Sequence, residues 1–218
     1  DDSAQYLVME YCSNGTIRQK GKLSYDKFIL YSKQLLSALA YCHSRNVAHR
    51  DIKPDNIFLD QYGQIKLADF GLAKKFENDI QSNEKCGSFM FFAPEMFVQY
   101  SVDPFKADIW ALGITFFYMA TGRFPYKTNN REDLKNMILY CDLDVNIFDI
   151  NPKLSYLIGK MTRKSAESRP SADELLNISL YTKNNKLIKI QKKSLSHIYN
   201  PTLNCCDVKK PVSHVNAN

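Results

Sequence analysis

The chain has 218 residues, 44% of them hydrophobic and 24% charged, with a net charge of +6. That length and apolar content suit one well-buried core and exclude a chain too polar to fold. No apolar run approaches the roughly 20 residues of a membrane-spanning helix and no signal peptide opens the sequence, so neither membrane nor secretion is expected.

The charge sits at one end. Past residue 180, seven lysines face a single aspartate, while the first 180 residues are balanced. A nucleic-acid site would carry its basic stripe on the folded body, so no nucleic-acid partner is expected. The six cysteines show no C-x-x-C spacing, and adjacent Cys205 and Cys206 are poorly placed for an ordinary bridge. A reducing compartment is the simpler reading, giving a cytoplasmic location with the nucleus also allowed.

In chain order, Tyr6-Leu7-Val8-Met9-Glu10-Tyr11 has the β-favouring character of a buried strand, ended by Ser13-Asn14-Gly15. Ser24 to Asn46 reads as a helix: Ser24 can cap it, and Phe28, Tyr31, Leu35, Leu36, Leu39 and Cys42 recur at helical spacing. His43 on that helix is expected to satisfy a local polar partner.

His49-Arg50-Asp51-Ile52-Lys53-Pro54-Asp55-Asn56 follows. It sets a proton acceptor, a cation and an oxygen ligand on one short loop, which is equipment for phosphoryl transfer. Ile57 to Asp60, a turn through Gly63, and Ile65-Lys66-Leu67 read as a hairpin that returns Asp69-Phe70-Gly71 to the side of Asn56. Farther on, Asp108 to Met119 is apolar nearly all round, so a helix there is expected to be central and buried. From about Tyr181 the composition turns to Lys, Asn and Ser, the mark of a flexible tail, although Lys186 to Ser194 could form a basic amphipathic segment or a pseudosubstrate.

These motifs, with Ala93-Pro94-Glu95 and Ser168-Arg169-Pro170, stand in the order found in the eukaryotic protein kinase family, which the chain resembles over roughly Gln5 to Leu180. The resemblance implies a mainly α (α+β) protein kinase-like fold. Residues 1–15 would be the last small-lobe strand and hinge, 16–180 the catalytic large lobe, and 181–218 the tail. None of the eight glycines forms G-x-G-x-x-G, so most of the small lobe, with its phosphate loop and lysine, is not found in these residues.

The resemblance also implies roles. Asp51 would be the catalytic base, Lys53 a positive charge near the transferred phosphoryl group, and Asn56 and Asp69 magnesium ligands. Met9 would stand at the gatekeeper position, Glu10 and Cys12 would present backbone groups to the adenine of ATP, and Phe58 would lie beneath it. His49 would pack against Phe70, followed by Gly71. Arg50 would pair with a phosphate on the segment from Asp69 to Glu95, with Ser82 as the acceptor for an upstream kinase or Glu84 as a fixed charge in its place. Asp108 would accept from the catalytic-loop backbone, and Arg169 would pair with Glu95.

Lys53 and Ser88 favour serine/threonine rather than tyrosine acceptors on protein substrates. Among such kinases the chain looks nearest the calcium/calmodulin-dependent and AMP-activated-like group. Thr16 and Tyr118 stand where arginine-directed kinases carry acidic residues, and Asp55 alone remains, so selection for basic substrates is expected to be weak. The other reading is a noncatalytic kinase-like interaction module.

Overall fold

A computed structural model describes residues 8–77, 80–143 and 150–182. The expected tail from residue 183 onward, with Lys186 to Ser194 and the Cys205-Cys206 pair, lies outside the described residues, as do Tyr6 and Leu7 of the opening segment.

The lobe is helical, with two small antiparallel sheets. A one-turn helix α1 (Ile17–Lys20) leads to the long α2 (Tyr25–Ser44), then β1 (Val47–Ala48), the hairpin β2 (Ile57–Leu59) and β3 (Ile65–Leu67), and β4 (Lys74–Lys75). Helices α3 (Glu95–Val98), α4 (Pro104–Thr121), α5 (Arg131–Tyr140), α6 (Pro152–Met161), α7 (Ala172–Leu176) and α8 (Ser179–Thr182) complete it. β1 pairs with β4 and β2 with β3, in the register Ile57↔Leu67 and Leu59↔Ile65. No helix among the described residues is long and apolar enough to cross a membrane.

Helix α4 is the axis. Asp103 caps it, its side chain accepting from the amides of Phe105 and Lys106, and Pro104 occupies the first turn, where no amide donor is needed. This start lies ahead of the apolar run that marks the helix in the sequence. Trp110, Phe116 and Phe117 are fully buried, each worth on the order of 2–3 kcal/mol over an exposed position. Gly113 lets α6 approach closely: a Cβ there would lie 2.7 Å from a Thr162 methyl and 2.9 Å from Met161.

Helix α2 buries Phe28, Tyr31, Leu35, Leu36 and Leu39 against this axis, with Phe28 edge-on to Phe116 at 5.4 Å. Ser24 occupies the N-cap position, yet its side chain makes no capping bond. The entry is fixed instead by the Leu23 amide donating to the Met119 carbonyl at 2.8 Å.

The opening segment departs from expectation. Residues 8–11 form no strand, and Val8, Met9 and Tyr11 are exposed at 93%, 69% and 85%. A strand needs a neighbour for its backbone and a layer to cover its apolar face, and the described residues supply neither. Chain order begins at the turn, where Asn14 donates to Leu59 and Leu59 to Gly15.

Candidate active site

Asp51 is the centre of a dense polar cluster. Its Oδ2 receives the Lys53 ammonium at 2.6 Å and the Asn56 amide at 3.0 Å; its Oδ1 receives the Ser88 hydroxyl at 2.9 Å and the Ser88 amide at 3.0 Å. Lys53 also donates to the Ser88 oxygen at 2.9 Å. Burial alone would push the Asp51 carboxyl up, but the bonds from Lys53, Ser88 and Asn56 and the charge of Lys53 outweigh it, and the group is held below its ordinary value.

The loop carrying Asp51 is bent by its own backbone. Arg50 is left-handed at φ 68°, a conformation costing a side-chain-bearing residue on the order of 1 kcal/mol or more. Asp108, 1% exposed, holds it in place. Its two oxygens accept the amides of His49 and Arg50 at 2.8 Å each, and His43 reaches Oδ2 at 3.0 Å. The partner of His43 is thus 65 residues away in sequence rather than local. His49 lies 4.7 Å from the Phe70 ring; its Nδ1 accepts the Asp51 amide, which leaves Nε2 to donate to the Ala68 carbonyl.

Ser88 is delivered by Gly87. At φ +107°, and with the Arg50 carbonyl 2.4 Å from where a Cβ would stand, this position admits only glycine without rearrangement.

Asp69 is not drawn into the cluster. The hairpin does bring its backbone alongside, through the Ala68 amide donating to the Asn56 carbonyl at 3.0 Å. Yet Asp69 is left-handed at φ 62° and exposed, and its carboxylate turns toward Gly71 in the short turn Phe70–Leu72. Asn56 spends its amide nitrogen on the backbone and side chain of Asp51, which orients its own oxygen elsewhere. An amide oxygen and a carboxylate are hard donors of the kind magnesium takes alongside phosphate and water. Among the described residues no three His, Cys, Asp or Glu side chains form a metal-holding group.

Of the expected nucleotide contacts, Met9 is exposed, Glu10 pairs with Lys66 at 3.1 Å, the Cys12 carbonyl closes a turn with Gly15, and Phe58 bridges Thr16. Burial is the largest influence on the Cys12 thiol and pushes it up.

The segment from Asp69 onward is tethered through Glu84. Its two oxygens take the Lys74 ammonium and Arg50 Nη1 at 2.8 Å each, while Arg50 Nε donates to the Leu72 carbonyl at 2.6 Å. Hydrogen bonds from Lys74 and Arg50 pull this exposed carboxyl down to about 2. Ser82 is buried at 4%, in a two-way backbone bridge with Val102, and its hydroxyl bonds Glu84 backbone. In this conformation it presents no acceptor to a modifying enzyme. The segment ends where Arg169, 1% exposed, meets both oxygens of Glu95 at 2.7 Å each and caps the carbonyls of Lys106, Arg163 and Lys164.

Sequence reasoning missed Lys74 and Gly87. Gly87, beside the singled-out Ser88, was the one readable position, since a glycine next to a site residue signals close backbone approach.

A helical lobe with a buried axis, a short hairpin and a polar, charge-balanced loop seated on that axis defines the kinase-like class. Residues 1–181 match the family model described as protein kinase domain, and the chain belongs to that family. It is 35% identical over 176 residues to sperm motility kinase Z of Mus musculus, spanning 79% of this chain and 35% of that protein. To the CBL-interacting serine/threonine-protein kinases 5 and 15 of Arabidopsis thaliana it is 33% and 32% identical, spanning 82% of this chain and 41% and 44% of theirs. The chain thus covers less than half the length of these curated relatives.

Proposed function

We propose that residues 16–180 form the catalytic large lobe of an ATP-dependent serine/threonine protein kinase, entered through a hinge at 1–15 and followed by a basic tail at 181–218, working in the cytoplasm. The observation that carries this reading is the Asp51 carboxylate, kept ionised by Lys53, Ser88 and Asn56 on a loop anchored to Asp108. Such a carboxylate can orient a substrate hydroxyl and take its proton as the new O–P bond forms. The bond from the γ-phosphorus to the bridging oxygen breaks, and ADP leaves.

Lys53 places positive charge beside the entering oxygen, and its second bond, to Ser88, couples the loop to the segment on which a protein substrate would lie. Asn56 and Asp69 would hold magnesium, which supplies charge neutralisation at the phosphates. The relatives named as serine/threonine kinases support the acceptor class.

The test is transfer of labelled γ-phosphate to a serine-containing protein by the full-length protein, with and without Asp51→Asn. A loss of about a hundredfold or more in the variant is expected. Equal transfer by both would overturn the reading. Nucleotide or protein binding without any transfer would favour the noncatalytic interaction module instead.

A further inference from the structure

Beside Lys53 and Ser88 an open groove is lined by Arg18, Asp55, Met90, Phe91 and Phe124. Its chemistry is set by how Arg18 is held. The guanidinium carbon lies 5.1 Å from the centre of the Tyr118 ring and 4.8 Å from that of Phe124, and those two rings stack on each other at 4.9 Å. The Tyr118 hydroxyl donates to the Arg18 carbonyl at 2.7 Å, fixing the backbone from the same side. The head group is thus slung against aromatic faces, and a cation so placed gives up little freedom when it binds.

The fork of N–H donors on Arg18 is unspent. Among the described residues its side chain makes no hydrogen bond, its nearest carboxylate being Asp55 at 4.0 Å, with 46% of the Arg18 side chain exposed. Asp55 is the one carboxylate lining the groove, and it already lies within ion-pair reach of Arg18. A cationic peptide side chain seeking Asp55 would meet Arg18 first. An anionic one would find a pre-set, half-exposed fork suited to two parallel hydrogen bonds.

We propose that this groove selects protein segments carrying anionic side chains, carboxylate or phosphomonoester, close to the acceptor hydroxyl, and that Arg18 determines the selection. The inference rests on the kinase reading of the site and names its substrate class. It goes beyond a weak preference for basic residues by reversing the sign.

The experiment measures binding rather than transfer, so that it stands or falls separately from catalysis. Three fluorescent alanine-based peptides with a central serine, flanked on both sides by glutamate, by phosphoserine or by arginine, are titrated by anisotropy against the full-length protein at low salt without nucleotide. The glutamate peptide is expected to bind at least about fivefold more tightly than the arginine peptide. R18K is expected to keep that order and R18E to invert it, with unchanged circular dichroism in both. A phosphoserine peptide tighter than the glutamate one would identify phosphate as the preferred anion. Arginine binding equal to or tighter than glutamate, an unaltered ratio in R18E, or no binding of any peptide to the folded protein would overturn the proposal.

Discussion

The loop from His49 to Asn56 and the segment before the first helix carry similarly suggestive sequences and behave oppositely. His49 to Asn56 is polar and strained at Arg50, yet it is held from three sides: buried Asp108 accepts the amides of His49 and Arg50, Asn56 donates to the Asp51 carbonyl, and half-buried Ser88 donates to the Asp51 side chain. Val8, Met9 and Tyr11 are apolar, and they stay exposed. Polar groups aimed at one another carry their order with them. Apolar ones acquire it only from whatever covers them.

The contrast can be broken hardest from the polar side. Arg169→Met leaves Glu95 charged and without its partner in the interior, and is expected to cost about 3–5 kcal/mol in urea unfolding. A loss below about 1 kcal/mol would mean that the buried pair does not hold the segment.

A smaller effect is expected at Glu84. Its folded value, about 2, lies below its ordinary 4.5, so the tether to Arg50 and Lys74 is fully present above the higher value and is lost as the pH falls through the lower. Carboxyl NMR should find Glu84 still ionised at about pH 3.5 in the wild type and titrating closer to its ordinary value in Lys74→Met. Identical titrations would show that Lys74 plays no part. Because the pair is open to solvent, high salt should weaken it.

The smallest effect is expected at the other pole of the comparison. Val8→Ser and Met9→Ser together should shift unfolding by less than about 0.5 kcal/mol. A larger loss would show that the segment is covered after all.

What could be read from the sequence follows the same division. The mainly helical fold was legible because α2 and α4 announce themselves by spacing and by unbroken apolarity, and the hairpin by Gly63. The clustering of Lys53 and Asn56 about Asp51 was legible because the three lie within six residues of one another. Arg18 was not, because Tyr118 and Phe124 approach it from about a hundred residues away, and no local pattern marks a cation that will lie on distant rings. Burial of Ser82 was likewise hidden in its bridge to Val102. The opening strand misled because β-propensity speaks of a surface to be filled and not of the neighbour that fills it.

At the far end of the described chain, Tyr181 is 1% exposed and its hydroxyl donates to Ser32 at 2.9 Å, deep in α2. The last helical turn is therefore a latch on the underside of the lobe. Any shortened version cut ahead of that tyrosine would uncover α2 and set a sticky face against its neighbours in solution, so a trimming point belongs beyond residue 182.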